Sequence, residues 1–155
     1  MTTQKWILLA EDNPQDADLV MRALAQGLED HRVVVAHDGL EALDCLNHQG
    51  NFKNRPEKNP TVILLDLKMP RVDGLEVLRR VKTDDRLRNI PVVMFTSSRE
   101  ESDVETCYRF GANAYVVKPV DFKQFRTAVK EMRAFWLDLN ELPPGASQPP
   151  VAAAG

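Results

Sequence analysis

The segment Trp6-Ile7-Leu8-Leu9-Ala10-Glu11-Asp12-Asn13-Pro14 joins an unbroken apolar run to two carboxylates and a helix start. A run that is apolar at every position, rather than at alternate ones, suits a strand covered on both faces. Asn13 is a good N-cap, and Pro14 suits the first helical position, where its missing N–H leaves no bond unmade. Beyond it Ala17, Leu19, Val20, Ala23, Leu24 and Leu28 recur at helical spacing, which predicts a helix over 14–28.

The same strand-then-helix unit returns along the chain. Val33-Val34-Val35-Ala36 reads as a second strand, and Asp38 caps a helix carrying Leu40, Ala42, Leu43 and Leu46. Val62-Ile63-Leu64-Leu65 is a third strand, and Asp73-Gly74 opens a helix with Leu75, Val77, Leu78 and Val81. Pro91-Val92-Val93-Met94-Phe95 is the fourth strand, followed by a helix from Arg99 to Phe110 that Gly111 closes in the left-handed region. Ala114-Tyr115-Val116-Val117 is the fifth, and the last helix runs from Asp121 to about Leu139, with Phe122, Phe125, Val129 and Met132 on one face. Five strands alternating with five helices predict a doubly wound α/β fold, a parallel sheet with right-handed crossovers and helices on both sides.

Two stretches stand outside the alternation. Asn47–Pro60 is polar and long for a connection in a compact domain. Four of the ten prolines fall in the last 13 residues, ahead of Ala152-Ala153-Ala154-Gly155, so 141–155 reads as a Pro/Ala-rich tail and 1–140 as one domain. The chain has 155 residues, 43% hydrophobic and 28% charged, a balance that excludes global disorder and suits one domain with a core. A net charge of -3 without a Lys/Arg block argues against a nucleic-acid partner. No apolar run approaches the roughly 20 residues of a membrane span, and no signal peptide is visible. Cys45 and Cys107, isolated from one another, read as reduced thiols in a cytoplasmic protein.

In a parallel sheet the C-terminal strand ends share one edge, where open α/β folds bind their ligands. Here strand one ends in Glu11-Asp12, strand three in Asp66, strand four in Thr96-Ser97-Ser98 and strand five in Lys118-Pro119. Any one of these residues alone is more simply a cap or turn residue. Four strand ends agreeing is a different matter. Three carboxylates brought together repel unless a counter-charge intervenes, and Mg²⁺ favours a few carboxylates with waters and phosphate oxygens. A hydroxyl and an ammonium complete the parts needed to stabilise a phosphoryl group in transfer. Asp66, flanked from both sides, is the best acceptor.

Glu11-Asp12-Asn13, Leu64-Leu65-Asp66, Met69-Pro70, Asp73-Gly74, Phe95-Thr96-Ser97, Gly111-Ala112-Asn113 and Val117-Lys118-Pro119 together resemble the receiver domain of two-component response regulators, over about residues 5–135. The resemblance implies a flavodoxin-like sheet of order 2-1-3-4-5. It implies that Asp66 accepts a phosphoryl group from a sensor histidine kinase. It further implies that Asp12, Asp66, the Lys68 backbone carbonyl and, largely through water, Glu11 hold Mg²⁺, and that Thr96 and Lys118 bind the phosphoryl oxygens. A cis Lys118–Pro119 bond is expected, with Tyr115 as the switch aromatic coupled to Thr96. Lys68 and Ser98 sit where the family varies and are expected to tune the phosphoryl lifetime. The long 47–60 loop and the ending Phe135-Trp136-Leu137 with Leu142-Pro143 resemble the stand-alone regulators paired with bacterial phytochrome kinases, which implies such a kinase as partner.

Three rival functions compete with this reading. A haloacid-dehalogenase-type phosphatase places a second Asp two residues after its nucleophile, where this chain has Lys68, no acid at neutral pH. A flavin or dinucleotide site needs a Gly- or hydroxyl-rich turn after strand one, and the turn here is acidic. A phosphorylation-independent interaction domain on the same fold stays open. The expected protein is a signalling protein rather than a metabolic enzyme. It has no output domain, so it works through surfaces that change contacts with a downstream protein. A homodimer is expected through the fourth helix, fifth strand and last helix, with Phe135, Trp136, Leu137 and Leu139 as an exposed seam.

Overall fold

Each apolar run becomes a strand of one sheet. The computed structural model describes residues 5–25 and 31–144, the side chain of His31 excepted. In chain order the elements are β1 (Lys5–Ala10), α1 (Pro14–Ala25), β2 (His31–Ala36), α2 (Gly39–Leu46), β3 (Val62–Leu65), α3 (Gly74–Thr83), β4 (Val92–Thr96), α4 (Glu101–Arg109), β5 (Ala114–Val117) and α5 (Phe122–Arg133). The strands are all parallel, in the order β2-β1-β3-β4-β5. This is the flavodoxin-like arrangement that the motifs implied. The last positions of the helix expected to reach Leu28, and the tail beyond 144, lie outside the described residues.

The strands are apolar throughout because both of their faces are buried. Trp6, Leu8 and Ala10 pack with Ile63, Leu65, Met94 and the inner faces of α2 and α3. Ile7 and Leu9, one residue out of phase, pack with Leu64, Phe95 and the inner faces of α1 and α5. Period two along the strand thus splits the side chains between two cores. Helix starts are set by side chains that accept from otherwise orphaned N–H groups: Asn13 Oδ1 from Gln15 and Asp16, and Asp38, Asp73 and Asp121 from the residue three positions on. α4 has no such side-chain cap and begins at Glu101, two residues later than expected. Gly111 closes it at φ +101°, as a left-handed cap requires.

The 47–60 loop is anchored rather than solvated. The Trp6 indole N–H donates to the Lys58 carbonyl at 2.9 Å, and the buried Arg55 guanidinium lies over the Trp6 ring. Arg55 also donates to the carbonyls of Leu46, Pro56 and Lys58. Its planar fork serves several backbone acceptors at once, which makes a long polar connection part of the fold.

Two expectations fail. Leu137 is fully buried, so it leaves the exposed seam. After Arg133 the last helix widens into one turn with i→i+5 bonding, Asn140 N–H donating to Phe135 O at 2.7 Å. The wider pitch swings Leu137 onto the α1/α5 core, where Lys5 Nζ also donates to its carbonyl. Phe135 and Leu139 stay exposed, and Trp136 is half-buried. Second, no peptide bond among the described residues is cis, so Lys118–Pro119 is trans. Trans is the favoured isomer by about 0.5–1 kcal/mol, and from it the Lys118 ammonium already reaches its acidic partners.

Gly74 lies where α3 starts against the end of β3: a Cβ there would stand 2.0 Å from the Asp66 carbonyl oxygen and 2.8 Å from Leu67 Cα. Backbone cannot yield as a flexible side chain does. Gly74→Ala is therefore expected to cost about 3 kcal/mol, read as a lower urea midpoint at unchanged m-value.

Candidate functional site

The parallel register delivers the strand ends to one place. β1 and β3 run side by side with Ala10 opposite Leu65, so Glu11 and Asp66 emerge as neighbours. β4 and β5 end with Thr96 opposite Val117, and the Lys118 N–H donates to the Thr96 carbonyl at 2.7 Å. The result is a cavity of about 460 Å³ whose lining includes Asp12, Asp16, Asp66, Lys68, Thr96 and Lys118.

Lys118 is the centre of this pocket. Its Nζ lies 2.5 Å from Glu11 Oε1, 2.9 Å from Asp16 Oδ2 and 3.2 Å from Asp66 Oδ2. An ammonium has three protons, and all three are taken. The Phe95 ring lies on its apolar side, 5.9 Å from Nζ to the centroid. Burial works against the lysine charge, but Glu11, Asp16 and Asp66 outweigh it and hold the pKa above the ordinary lysine value. Glu11 is buried to 1% exposure. That burial, reinforced by neighbouring Asp66 and opposed by Lys118, pushes its carboxyl above the ordinary carboxylate value. The pocket therefore holds more acid than its one ammonium balances.

The acidic residues offer oxygen atoms within 4.8 Å of one another at Glu11, Asp12 and Asp66. An all-oxygen set with surplus negative charge matches a hard divalent cation and no soft metal. Asp12 is exposed and faces solvent, while Asp66 is nearly buried with Oδ1 accepting from the Leu67 N–H at 2.7 Å. Lys68 is exposed beside them on the pocket wall.

Thr96 is buried, with its Oγ1 accepting a long 3.4 Å bond from the Ser98 N–H. Ser98 is the hub of the β4–α4 loop. Its hydroxyl donates to Asp103 at 2.6 Å and accepts from the Glu100 N–H, and its carbonyl accepts from the Tyr115 hydroxyl at 3.0 Å. Tyr115 is half-buried against the core, with its hydroxyl bonded to the Ser98 carbonyl. The loop after Thr96 is thus tied to both α4 and β5.

Sequence reasoning brought Glu11, Asp12, Asp66, Lys68, Thr96 and Lys118 to this edge, and the fold assembles them there. It missed Asp16. Nothing in the sequence separates Asp16 from an ordinary first-turn acid, although its position three residues after the cap puts it on the same edge as Asp12. Phe135 and Trp136 lie away from the pocket, stacked edge to face on each other at 4.8 Å. Both cysteines are buried and free, their thiols pushed up to about 11 by desolvation. Among the described residues no helix is long and apolar enough to cross a membrane.

The family model described as the response regulator receiver domain matches residues 7–130. Response regulator Rcp1 of Synechocystis is 40% identical over 139 residues, covering 90% of this chain and 93% of Rcp1, and its fold has been solved in a Mn²⁺-bound form (TM-score 0.83). The phosphorylated cyanobacterial phytochrome response regulator RcpA superposes with TM-score 0.85 at 39% identity, covering 91% of this chain and 99% of RcpA. The bacteriophytochrome response regulator AtBRR is 55% identical, with TM-score 0.71, covering 90% of this chain and all of AtBRR. With four-fifths of its length inside the family model and its strand ends carrying the acidic pocket, the chain belongs to the response regulator receiver-domain family.

Proposed function

We propose that this protein accepts a phosphoryl group on Asp66 from a sensor histidine kinase of the phytochrome type, in a Mg²⁺-dependent reaction. The observation that carries this reading is the Lys118 ammonium bonded to Asp66 inside a pocket with a buried threonine hydroxyl and surplus acid. One Asp66 carboxylate oxygen attacks the phosphorus of the kinase phosphohistidine. The P–O bond forms as the P–N bond breaks, and the imidazole leaves with the electron pair and takes up a proton. Mg²⁺, held by Asp12, Asp66, the Lys68 carbonyl and Glu11, largely through water, would neutralise the phosphoryl oxygens as they approach the acidic pocket. Lys118 and Thr96 bind those oxygens, the first as a point charge and the second as a hydroxyl donor.

Engagement of Thr96 shifts the loop bonded to it through Ser98, and Tyr115 follows because its hydroxyl is bonded to that same loop. The charge event in the pocket is then read on the surface of α4, β5 and α5. Lys68 and Ser98, flanking the phosphoryl group, tune its lifetime. In this reading residues 1–140 form the receiver, 141–155 a tail, and a downstream protein in the cytoplasm binds the switched surface. The protein acts as a signal carrier and not as a metabolic enzyme. A homodimer forms through α4, β5 and α5, with Phe135 and Trp136 as its apolar contribution.

Incubation with Mg²⁺ and acetyl phosphate is expected to add the mass of one phosphoryl group, read by intact-mass spectrometry. The adduct is expected to vanish with Asp66→Asn or with a chelator. Lys118→Ala should slow its formation by about 100-fold, with folding checked by circular dichroism. An adduct that persists in Asp66→Asn refutes the acceptor assignment.

Sedimentation tests the dimer. Phe135→Ala with Trp136→Ala is expected to lower the sedimentation coefficient of the phosphorylated protein to the monomer value. An unchanged coefficient puts the seam elsewhere.

A further inference from the structure

Lys118 has three partners, and they differ in what losing the lysine would cost them. Glu11 is 1% exposed, so bulk solvent cannot take the place of the ammonium beside it. Asp66 is itself the proposed acceptor. Asp16 lies on α1 at the pocket rim, with its side chain 27% exposed, where water can replace the ammonium. Its backbone N–H is already bonded to Asn13 Oδ1. Its carboxylate is not folded back onto the helix start, as an acid at this position commonly is; it reaches across to β5's end instead. Because three carboxylates occupy all three ammonium protons, an incoming phosphoryl oxygen gains a Lys118 proton only by displacing one of them.

We propose that Asp16 is the exchangeable partner of Lys118: a positioning residue on α1 that holds the ammonium over Asp66 in the resting pocket and releases it to the phosphoryl group. The proposal rests on the reading of Asp66 as phosphoacceptor. Release costs little because the freed Asp16 carboxylate is hydrated, whereas freeing Glu11 would strand a charge in the core. Asp16 thereby sets how strongly the pocket holds a phosphoryl group. It competes for the lysine, and its charge stays near a group that carries more negative charge than the carboxylate it replaced. The exchange also loosens a link between α1 and the start of the β5–α5 connection, so the α1 face senses phosphorylation.

Trifluoroberyllate, a tetrahedral mimic of the phosphoryl group, tests this at saturating Mg²⁺, with binding followed by ¹⁹F NMR. Asp16→Asn is expected to tighten binding about tenfold, the size of one charge-assisted hydrogen bond no longer competed for. Asp16→Glu, which keeps the charge and the reach, is expected to restore wild-type affinity. Asp18→Asn removes an equal charge from the same helix at a residue paired with Arg22 outside the pocket, and is expected to change affinity less than twofold. In ¹⁵N-lysine spectra, the Lys118 ammonium signal of free Asp16→Asn should exchange faster with water than in wild type. If Asp16→Asn leaves affinity unchanged or weakens it while wild type binds, this proposal is overturned alone. If Asp18→Asn tightens binding equally, the effect is a general field and the proposal is again overturned. If wild type takes up no trifluoroberyllate, the phosphoacceptor reading fails, and this one with it.

Discussion

A single ammonium shared among three carboxylates governs this molecule. Lys118 leaves the last strand, Glu11 the first and Asp66 the third, while Asp16 comes from the first helix. Charges of this kind are expensive to bury singly and tolerable only when paired and hydrogen-bonded. The sheet must therefore bring these strand ends together in correct register. A parallel sheet of order β2-β1-β3-β4-β5 does so, because its central strands all end on the same edge. The balance is incomplete, with more acid than base, and that surplus of oxygen ligands suits a hard divalent cation.

The pocket is joined to the surface by short polar links. Thr96 contacts Ser98, Ser98 contacts Asp103 of α4, and Tyr115 of β5 reaches the Ser98 carbonyl. Each link is one hydrogen bond long. The two apolar layers behind the sheet are packed on both faces and yield little. The β4–α4 loop lines the pocket, and the helix that follows it starts without a side-chain cap. On the Asp66 side, Gly74 lets α3 start in contact with the Asp66 backbone.

Much of this was legible from residue order. Unbroken apolar runs announced strands buried on both faces, and Asn13, Asp38, Asp73 and Asp121 marked helix starts that the structure keeps. The residues just past each strand could be named because a strand end is a local feature. Arg55 does not stand out within the polar 47–60 stretch, because its burial depends on the Trp6 ring and on carbonyls contributed by folding. Leu137 departs from the expected exposure because a helical pattern assumes 3.6 residues per turn, and the last turn is wider. Asp16 escaped notice because its partner lies 102 positions away.

Residue order alone sets the alternation of strands and helices, the acidic, hydroxyl and basic strand ends and the family to which they belong. These follow from local periodicity and from residues fixed to the ends of elements. How the charges are shared emerges only on folding. Which carboxylates reach Lys118, which of them keep access to water and which aromatic side chains remain outside are set by packing between distant segments. Coulomb energies depend on distance and on burial, and neither is written in the order of residues.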